Sequence, residues 1–420
     1  MGQRLMKSRI ACWVSILSLV LAVSSRAAES VVYELPPIVE ATEVVPEAVR
    51  TSENYTVAND VSIADFYYQF KLQTTLFGEY DVTSLDLLKV RAYETNVLAG
   101  APEIKGRASF GDAAKTDIKE TAKATAKTVV TPVKSAKALG AGLEEQGRFV
   151  YDFIRFKSRN QPKDSLLTGE EKRRQAKALG IDVYSTNPAV QAHLERRAKA
   201  RSPGSKLVDV GIGVTTFVMP FGMPVSLTIS AGKFREKLAD KFDSMSPLEL
   251  YHYNDKILKK MGIQSAQREQ FLEFEALSPR QKTEIIADLK TLDEMKDWQP
   301  FLDACRAAHP KEGLWQLQSS DMLAKFNKTV EPLSSAYGSD VVVVATTVTG
   351  RQIIFVPGDI VFWSEPLAKA FENPIKATGA VKHSAPQCIV AGRVTETAKK
   401  EIERRGFTVL DFFLRDEKQP

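Results

Sequence analysis

Cys305 and His309 are the two residues of this sequence best suited by type and spacing to covalent chemistry. They stand four residues apart in a predicted helix, so both side chains face the same way, and a thiol beside an imidazole is a nucleophile beside its base. Against this, the pair precedes Pro310 at a helix end, chance sharing of a helix face is common, and no third residue is evident to orient the base. A catalytic pair is therefore the alternative hypothesis here.

A second candidate lies at Gly392, Arg393 and Thr395, where a predicted strand leads into a predicted helix. Free amide groups, the helix dipole, the Arg393 guanidinium and the Thr395 hydroxyl are the groups that hold an anion at a helix start. An ordinary strand-to-helix turn capped by Thr395 accounts for the same residues, and we favour it.

Neither a metal nor a cofactor is predicted. The histidines from His193 to His383 are spread singly, and none stands at metal-ligand spacing from another histidine or from a cysteine pair. The sequence has no G-x-S-x-G elbow and no phosphate-binding loop ending in Lys-Ser/Thr.

The most biased segment, from Gly111 to Gly142, carries a row of lysines spaced four residues apart: Lys115, Lys119, Lys123 and Lys127. Like charges at this spacing repel by a few tenths of a kcal/mol per pair, so the row does not stabilise an isolated helix. One hypothesis is a helix lying on an anionic membrane surface or on an acidic partner. The apolar stripe beside the row is only Ala, Thr and Val, which favours a solvated or tethering helix.

Residues 1–27 have the basic start, the apolar middle and the small residues before a cut that define a secretory signal peptide. Their removal takes away four basic residues and no acidic one, which lowers the formal net charge from +5 to +1. The chain after residue 27 is unevenly charged, with an acidic block over 28–105 and a basic block over 106–206. Because these blocks can neutralise each other and an exported chain rarely meets nucleic acid, no nucleic-acid partner is expected.

Export places the two remaining cysteines, Cys305 and Cys388, in an oxidising compartment. They could form one disulfide across a long loop, or they could be two buried free thiols, and the sequence leaves both possibilities open.

The patterning predicts an α+β fold with an N-terminal strand-containing module, a central helical region and a small C-terminal α/β module. Capping boxes begin helices after Ser246 and Ser278, and Gly100 ends an earlier helix. The expected divisions are a signal peptide (1–27), an extended acidic strap (28–53), a strand hairpin with a helix (54–105), a basic helical region (106–206), a helical subdomain (207–336) that includes an apolar Gly/Pro segment (210–232), and the α/β module (337–420). That apolar segment is long enough to span a membrane, but its glycines and prolines favour a buried element.

Part of the chain resembles a group of exported bacterial proteins with no assigned activity. The resemblance rests on three stretches: LFGEYDVTSLDLLKVRAYE, LGIDVYSTNPAVQAHLERRAKA and AGRVTETAKKEIERRGFTVLD. It implies export and a shared architecture, and it lends no residue to a site. We therefore expect an exported cell-envelope protein that is periplasmic or extracellular, with a non-enzymatic role in binding a protein partner or an anionic membrane surface. The alternative is an exported hydrolase whose site is assembled from scattered residues.

Overall fold

The computed structural model describes residues 33–101, 169–201, 244–295, 297–307, 313–339, 341–372 and 385–414. The chain divides into two compact units, 1–35 and 36–420, and all the elements below belong to the second. The signal peptide, the lysine row, His309 and the apolar segment 210–232 lie outside the described residues.

An antiparallel sheet forms the N-terminal part of the second unit, with β4 at its centre hydrogen-bonded to three other strands. The elements of this part are β1 (Val39–Glu40), α1 (Ala41–Val44), α2 (Glu47–Arg50), β2 (Tyr55–Val57), β3 (Asp60–Ala64), β4 (Tyr67–Thr74), β5 (Gly78–Thr83) and α3 (Leu85–Gly100). The predicted hairpin and the helix that ends at Gly100 are therefore confirmed.

The predicted acidic strap is corrected from Val39 onward. Val39, Val44 and Val49 are buried and belong to the same core as the N-terminal sheet, and β1 pairs with β3. The physical reason is that valines interspersed among glutamates still supply enough apolar surface to pack short elements against a neighbouring sheet.

Helices form the central part. They are α4 (Gly169–Leu179), α5 (Pro188–Arg201), α6 (Pro247–Lys260), α7 (Ser265–Leu272), α8 (Pro279–Leu289), α9 (Gln299–Ala307) and α10 (Leu314–Thr329). Both predicted capping boxes are present, at Ser246 with Glu249 and at Ser278 with Gln281. The second of these begins α8, which is buried along its whole length.

The C-terminal part is a five-stranded mixed sheet in the order β12, β10, β8, β7, β6, with a separate two-stranded sheet of β9 and β11. Its elements are β6 (Leu333–Gly338), β7 (Val343–Thr347), β8 (Gln352–Val356), β9 (Ile360–Val361), α11 (Glu365–Glu372), β10 (Gln387–Val390), β11 (Arg393–Val394), α12 (Glu396–Arg404) and β12 (Thr408–Leu410). The α+β fold class is confirmed.

The C-terminal sheet is buried on both faces, which explains the unbroken apolar runs of its strands. Successive side chains of β8 alternate between two cores: Ile354 and Val356 belong to the core that contains the N-terminal sheet, whereas Ile353 and Phe355 belong to the core of the central helices. The N-terminal module and the C-terminal module therefore share one hydrophobic core.

Candidate functional site

Cys305 lies on α9 with its side chain fully buried among the central helices. Burial raises the pKa of the Cys305 thiol far above its ordinary value, so the thiolate that a nucleophile requires is strongly disfavoured. Gln316 donates a hydrogen bond of 2.8 Å to the Cys305 backbone carbonyl, which ties α9 to α10. The structure thus shows a packing role for Cys305, and it does not describe the second member of the predicted pair, His309.

Cys388 and Cys305 are both free thiols. Cys388 lies on β10 and packs into the core shared with the N-terminal sheet, whereas Cys305 packs into the core on the other side of the C-terminal sheet. Of the two possibilities left open by the sequence, the structure therefore contains two buried thiols rather than a disulfide.

The segment Gly392 to Thr395 forms a tight connection between a strand and a helix. The Thr395 hydroxyl accepts a hydrogen bond of 3.2 Å from the Ala398 amide and caps α12, as the favoured interpretation predicted. The Arg393 amide donates to the Asp359 carbonyl at 2.9 Å. A Cβ atom added to Gly392 would lie 2.2 Å from that same carbonyl oxygen, so the backbone here is in direct contact with the segment around Asp359.

Asp359 is a fully buried acid that the sequence analysis did not identify. Its carboxylate oxygen Oδ2 accepts hydrogen bonds from the backbone amides of Tyr68 and Leu85, both at 3.2 Å. The Asp359 amide in turn donates to the Phe66 carbonyl at 2.8 Å. One residue of the C-terminal part therefore holds together the start of β4 and the start of α3.

Backbone strain collects around this acid. Asp65, Phe66, Ser84 and Phe412 are the non-glycine residues with positive φ in the described part of the chain. The Phe66 carbonyl itself contacts Asp359, Asp65 precedes it, and Ser84 precedes Leu85, whose amide contacts the carboxylate. The Phe412 amide donates to the carbonyl of Gly392. Strained conformations of this kind persist only where the surroundings fix them. The arrangement is a closed structural junction, because its carboxylate is engaged by backbone amides of the fold itself.

A second buried polar cluster joins α3 to the loop before α5. Arg91 donates to Glu94 at 2.8 Å and to the Ser185 hydroxyl at 3.1 Å, and Asn187 donates to Glu94 at 3.0 Å. Arg91, Glu94 and Ser185 line a cavity of about 20 Å³ together with Arg280 of α8. A cavity of this size holds about one water molecule and has no room for an organic ligand.

The larger cavity is a groove of about 620 Å³ between α6 and the segment that follows α8. Its α6 side is one stripe of the helix, Tyr253, Lys256, Ile257 and Lys260, at the spacing that places side chains on one face. The opposite face of α6 packs into the protein through Leu250 and other buried residues.

The other wall of this groove is supplied by the residues from the end of α8 to the start of α9: Leu289, Lys290, Leu292, Asp293, Met295 and Trp298. Leu292, Met295 and Trp298 are buried and form an apolar floor, whereas Lys290 and Asp293 are exposed at the rim. We refer to this cavity, with both its walls, as the lysine groove.

Three lysine ammonium groups face a single carboxylate around the lysine groove. Lys256, Lys260 and Lys290 are exposed, and among the described residues none of them forms an ion pair. The charged residues that line the groove therefore sum to two positive charges above an apolar floor. This combination suits a ligand with both apolar and acidic groups.

Sequence reasoning missed the lysine groove because its two walls are about 30 residues apart in the chain. A local signal did exist, since Tyr253, Ile257 and Met261 recur every four residues beside Lys256 and Lys260. That stripe is mixed apolar and basic, whereas a solvated helix face is polar throughout.

No family model matches the chain, and no similar protein was found among curated proteins or solved structures. The resemblance to exported bacterial proteins therefore stays a prediction. Within the described ranges, no helix combines the length and apolarity needed to cross a membrane. The same ranges contain no group of three or more His, Cys, Asp or Glu side chains that could hold a metal ion.

Proposed function

We propose that this chain is an exported cell-envelope protein that binds a partner protein, without catalysis, by holding an extended acidic and apolar segment of it in the lysine groove. The observation that carries the proposal is the combination of an apolar floor at Trp298 with three exposed lysines at the rim. Export rests on the N-terminal 27 residues and is part of the proposal.

The dimensions of the lysine groove support a binding role. Its volume lies within the range of about 300–1,000 Å³ that is typical of ligand pockets, so it accepts a few apolar side chains of a partner. In an extended segment successive side chains point to opposite sides. Apolar side chains can therefore enter the floor while neighbouring acidic side chains stay at the rim near Lys256, Lys260 and Lys290.

Electrostatics adds specificity more than strength. An exposed ion pair contributes about 0.2–1 kcal/mol, so three pairs together contribute on the order of 1–3 kcal/mol and weaken with added salt. The apolar contacts supply the larger share, because burying one leucine-sized side chain contributes about 1.5–3 kcal/mol. The concave floor also favours a polypeptide segment over a flat membrane surface.

The competing hypothesis of an exported hydrolase is less well supported. Its best nucleophile, Cys305, is fully buried with a pKa raised by burial. The buried acid Asp359 holds backbone amides of the fold. Neither residue offers a reactive group to a substrate.

Synthetic peptides of alternating leucine and glutamate test the proposal, with leucine–glutamine and leucine–lysine peptides as chemical controls. We expect the leucine–glutamate peptide to bind best and to change the fluorescence of Trp298, with an affinity that falls as salt is added. The triple variant Lys256→Gln, Lys260→Gln, Lys290→Gln should bind it about 5-fold to 100-fold more weakly.

A matched control removes the same charge from exposed lysines outside the groove: Lys259→Gln, Lys328→Gln and Lys400→Gln. This control should bind like the unmodified protein. Equal binding of all three peptides, or an equal loss in both triple variants, would contradict the proposed groove.

A further inference from the structure

The N-terminal segment Tyr33–Ile38, which we call the arm, exposes large apolar side chains. Leu35 is 87% exposed and Ile38 is 97% exposed, and Tyr33 is also exposed. Single exposed apolar residues are common on protein surfaces, but three within six residues form a concentrated apolar surface. An apolar surface of this kind is typical of a segment that docks on another surface.

Two features of the arm prepare it for docking. Pro36 and Pro37 restrict the backbone to extended conformations, which lowers the entropy lost when such a segment binds. The residue after Ile38 begins β1, and Val39 pairs with Val61 of β3, so the C-terminal end of the arm is fixed to the fold.

The chemistry of the arm complements that of the lysine groove. The arm sequence YELPPI is followed by Val39 and Glu40, so Leu35 and Ile38 lie between Glu34 and Glu40. The lysine groove presents an apolar floor and an excess of positive charge. Apolar residues would meet the floor, and the two glutamates would meet the lysines of the rim.

We propose that the arm of one copy of this chain occupies the lysine groove of a second copy. This inference rests on the proposed function and names the partner of the same groove. If each copy gives its arm to the other, the two contacts are identical and the assembly closes as a two-fold symmetric dimer. One-way exchange would instead leave a free arm and a free groove at the ends of a growing chain.

The oligomeric state of the purified exported chain, measured by sedimentation velocity over a range of concentrations, tests the inference. We expect a dimer. Replacing Leu35 and Ile38 by serine should weaken dimerisation by at least tenfold for each side chain. The groove variant Lys256→Gln, Lys260→Gln, Lys290→Gln should also weaken it, whereas the variant at Lys259, Lys328 and Lys400 should not.

Mixing the two weakened variants gives a sharper test. The arm variant retains an intact groove and the groove variant retains an intact arm, so an equimolar mixture restores one of the two contacts. The substitutions must be severe enough to undock the arm, so that each homodimer keeps no docked arm and the heterodimer keeps one. We then expect heterodimers that are more stable than either homodimer. A mixture that associates no better than its separate components would overturn arm exchange, and so would a dimer unaffected by both sets of substitutions.

Failure of this inference is distinguishable from failure of the proposed function. A monomeric chain that still binds the leucine–glutamate peptide through Lys256, Lys260 and Lys290 would refute arm exchange alone and point to a different partner protein. A chain that neither dimerises nor binds that peptide would refute both proposals.

Discussion

Lys282 is a buried lysine whose titration should make the protein more stable as the pH rises. It lies on α8 with its side chain almost fully buried, and its ammonium donates a hydrogen bond of 2.7 Å to the Leu272 carbonyl at the end of α7. Desolvation lowers the pKa of Lys282 from 10.5 to about 7, although Glu273 and Glu275 oppose this change.

The direction of the effect follows from proton binding. Between pH 7 and pH 10.5 the unfolded chain keeps the Lys282 proton while the folded chain loses it, so the free energy of unfolding rises with pH over this interval. Below pH 7 both states are charged and the full cost of burying the charge, on the order of 5 kcal/mol, is present. Between pH 7 and pH 9 the relief is about 2 kcal/mol.

Urea denaturation of the unmodified protein and of Lys282→Met, measured at several pH values from 6 to 9, checks this prediction. Other groups titrate in the same interval, so the quantity that matters is the difference between the two proteins. This difference should change by about 2 kcal/mol in favour of the unmodified protein from pH 7 to pH 9. In the variant Lys400→Met, where the replaced lysine is exposed, the free energy of unfolding should change with pH in parallel with that of the unmodified protein. If the free energy of unfolding of Lys282→Met also changed with pH in parallel with that of the unmodified protein, the predicted effect of Lys282 would be refuted.

Two further predictions concern groups that the structure buries. Replacing Asp359 by alanine leaves two buried backbone amides without an acceptor. Urea denaturation should show a free energy of unfolding lowered by about 3–5 kcal/mol, whereas replacing the exposed Asp81 by alanine should change it little. A loss below about 1 kcal/mol for Asp359→Ala would contradict the junction. Cys305 and Cys388 should both react with iodoacetamide in urea without a reductant, because both are free thiols. In the native protein, where both are buried, they should react only very slowly. Rapid labelling of the native protein, or labelling in urea only after a reductant is added, would contradict two buried free thiols.

Local features of the fold could be predicted because they depend on neighbouring residues. A serine followed three residues later by glutamate or glutamine forms a capping box wherever a helix can begin, and Ser246 and Ser278 both do so. The end of α3 at Gly100 was predicted in the same local way. These signals need no knowledge of the rest of the chain.

Long-range features could not be predicted from the sequence. The hydrogen bond between Tyr68 and Asp359 joins residues 291 positions apart, and no local pattern distinguishes Asp359 from an acid in an ordinary turn. The same limit applies to Arg197, which lies on a helix rich in charged residues. It is buried and donates to Gln175 of the neighbouring helix at 3.2 Å.

The candidate site likewise combines local features that could be predicted with long-range features that could not. The chemistry of single residues suggested Cys305, but only the tertiary packing reveals that its thiol is enclosed and disfavoured as a thiolate. The lysine groove arises because a mixed stripe on α6 faces a segment that follows another helix, and the two meet only in the folded chain.

The central claim is that the lysine groove holds an acidic and apolar segment, and the affinity of the leucine–glutamate peptide tests it most directly. The account predicts binding that weakens with salt and falls about 5-fold to 100-fold in the variant at Lys256, Lys260 and Lys290, with no change in the variant at Lys259, Lys328 and Lys400. Binding that is the same in both variants, or absent from the arm variant Leu35→Ser, Ile38→Ser, whose groove the account leaves open, would contradict it.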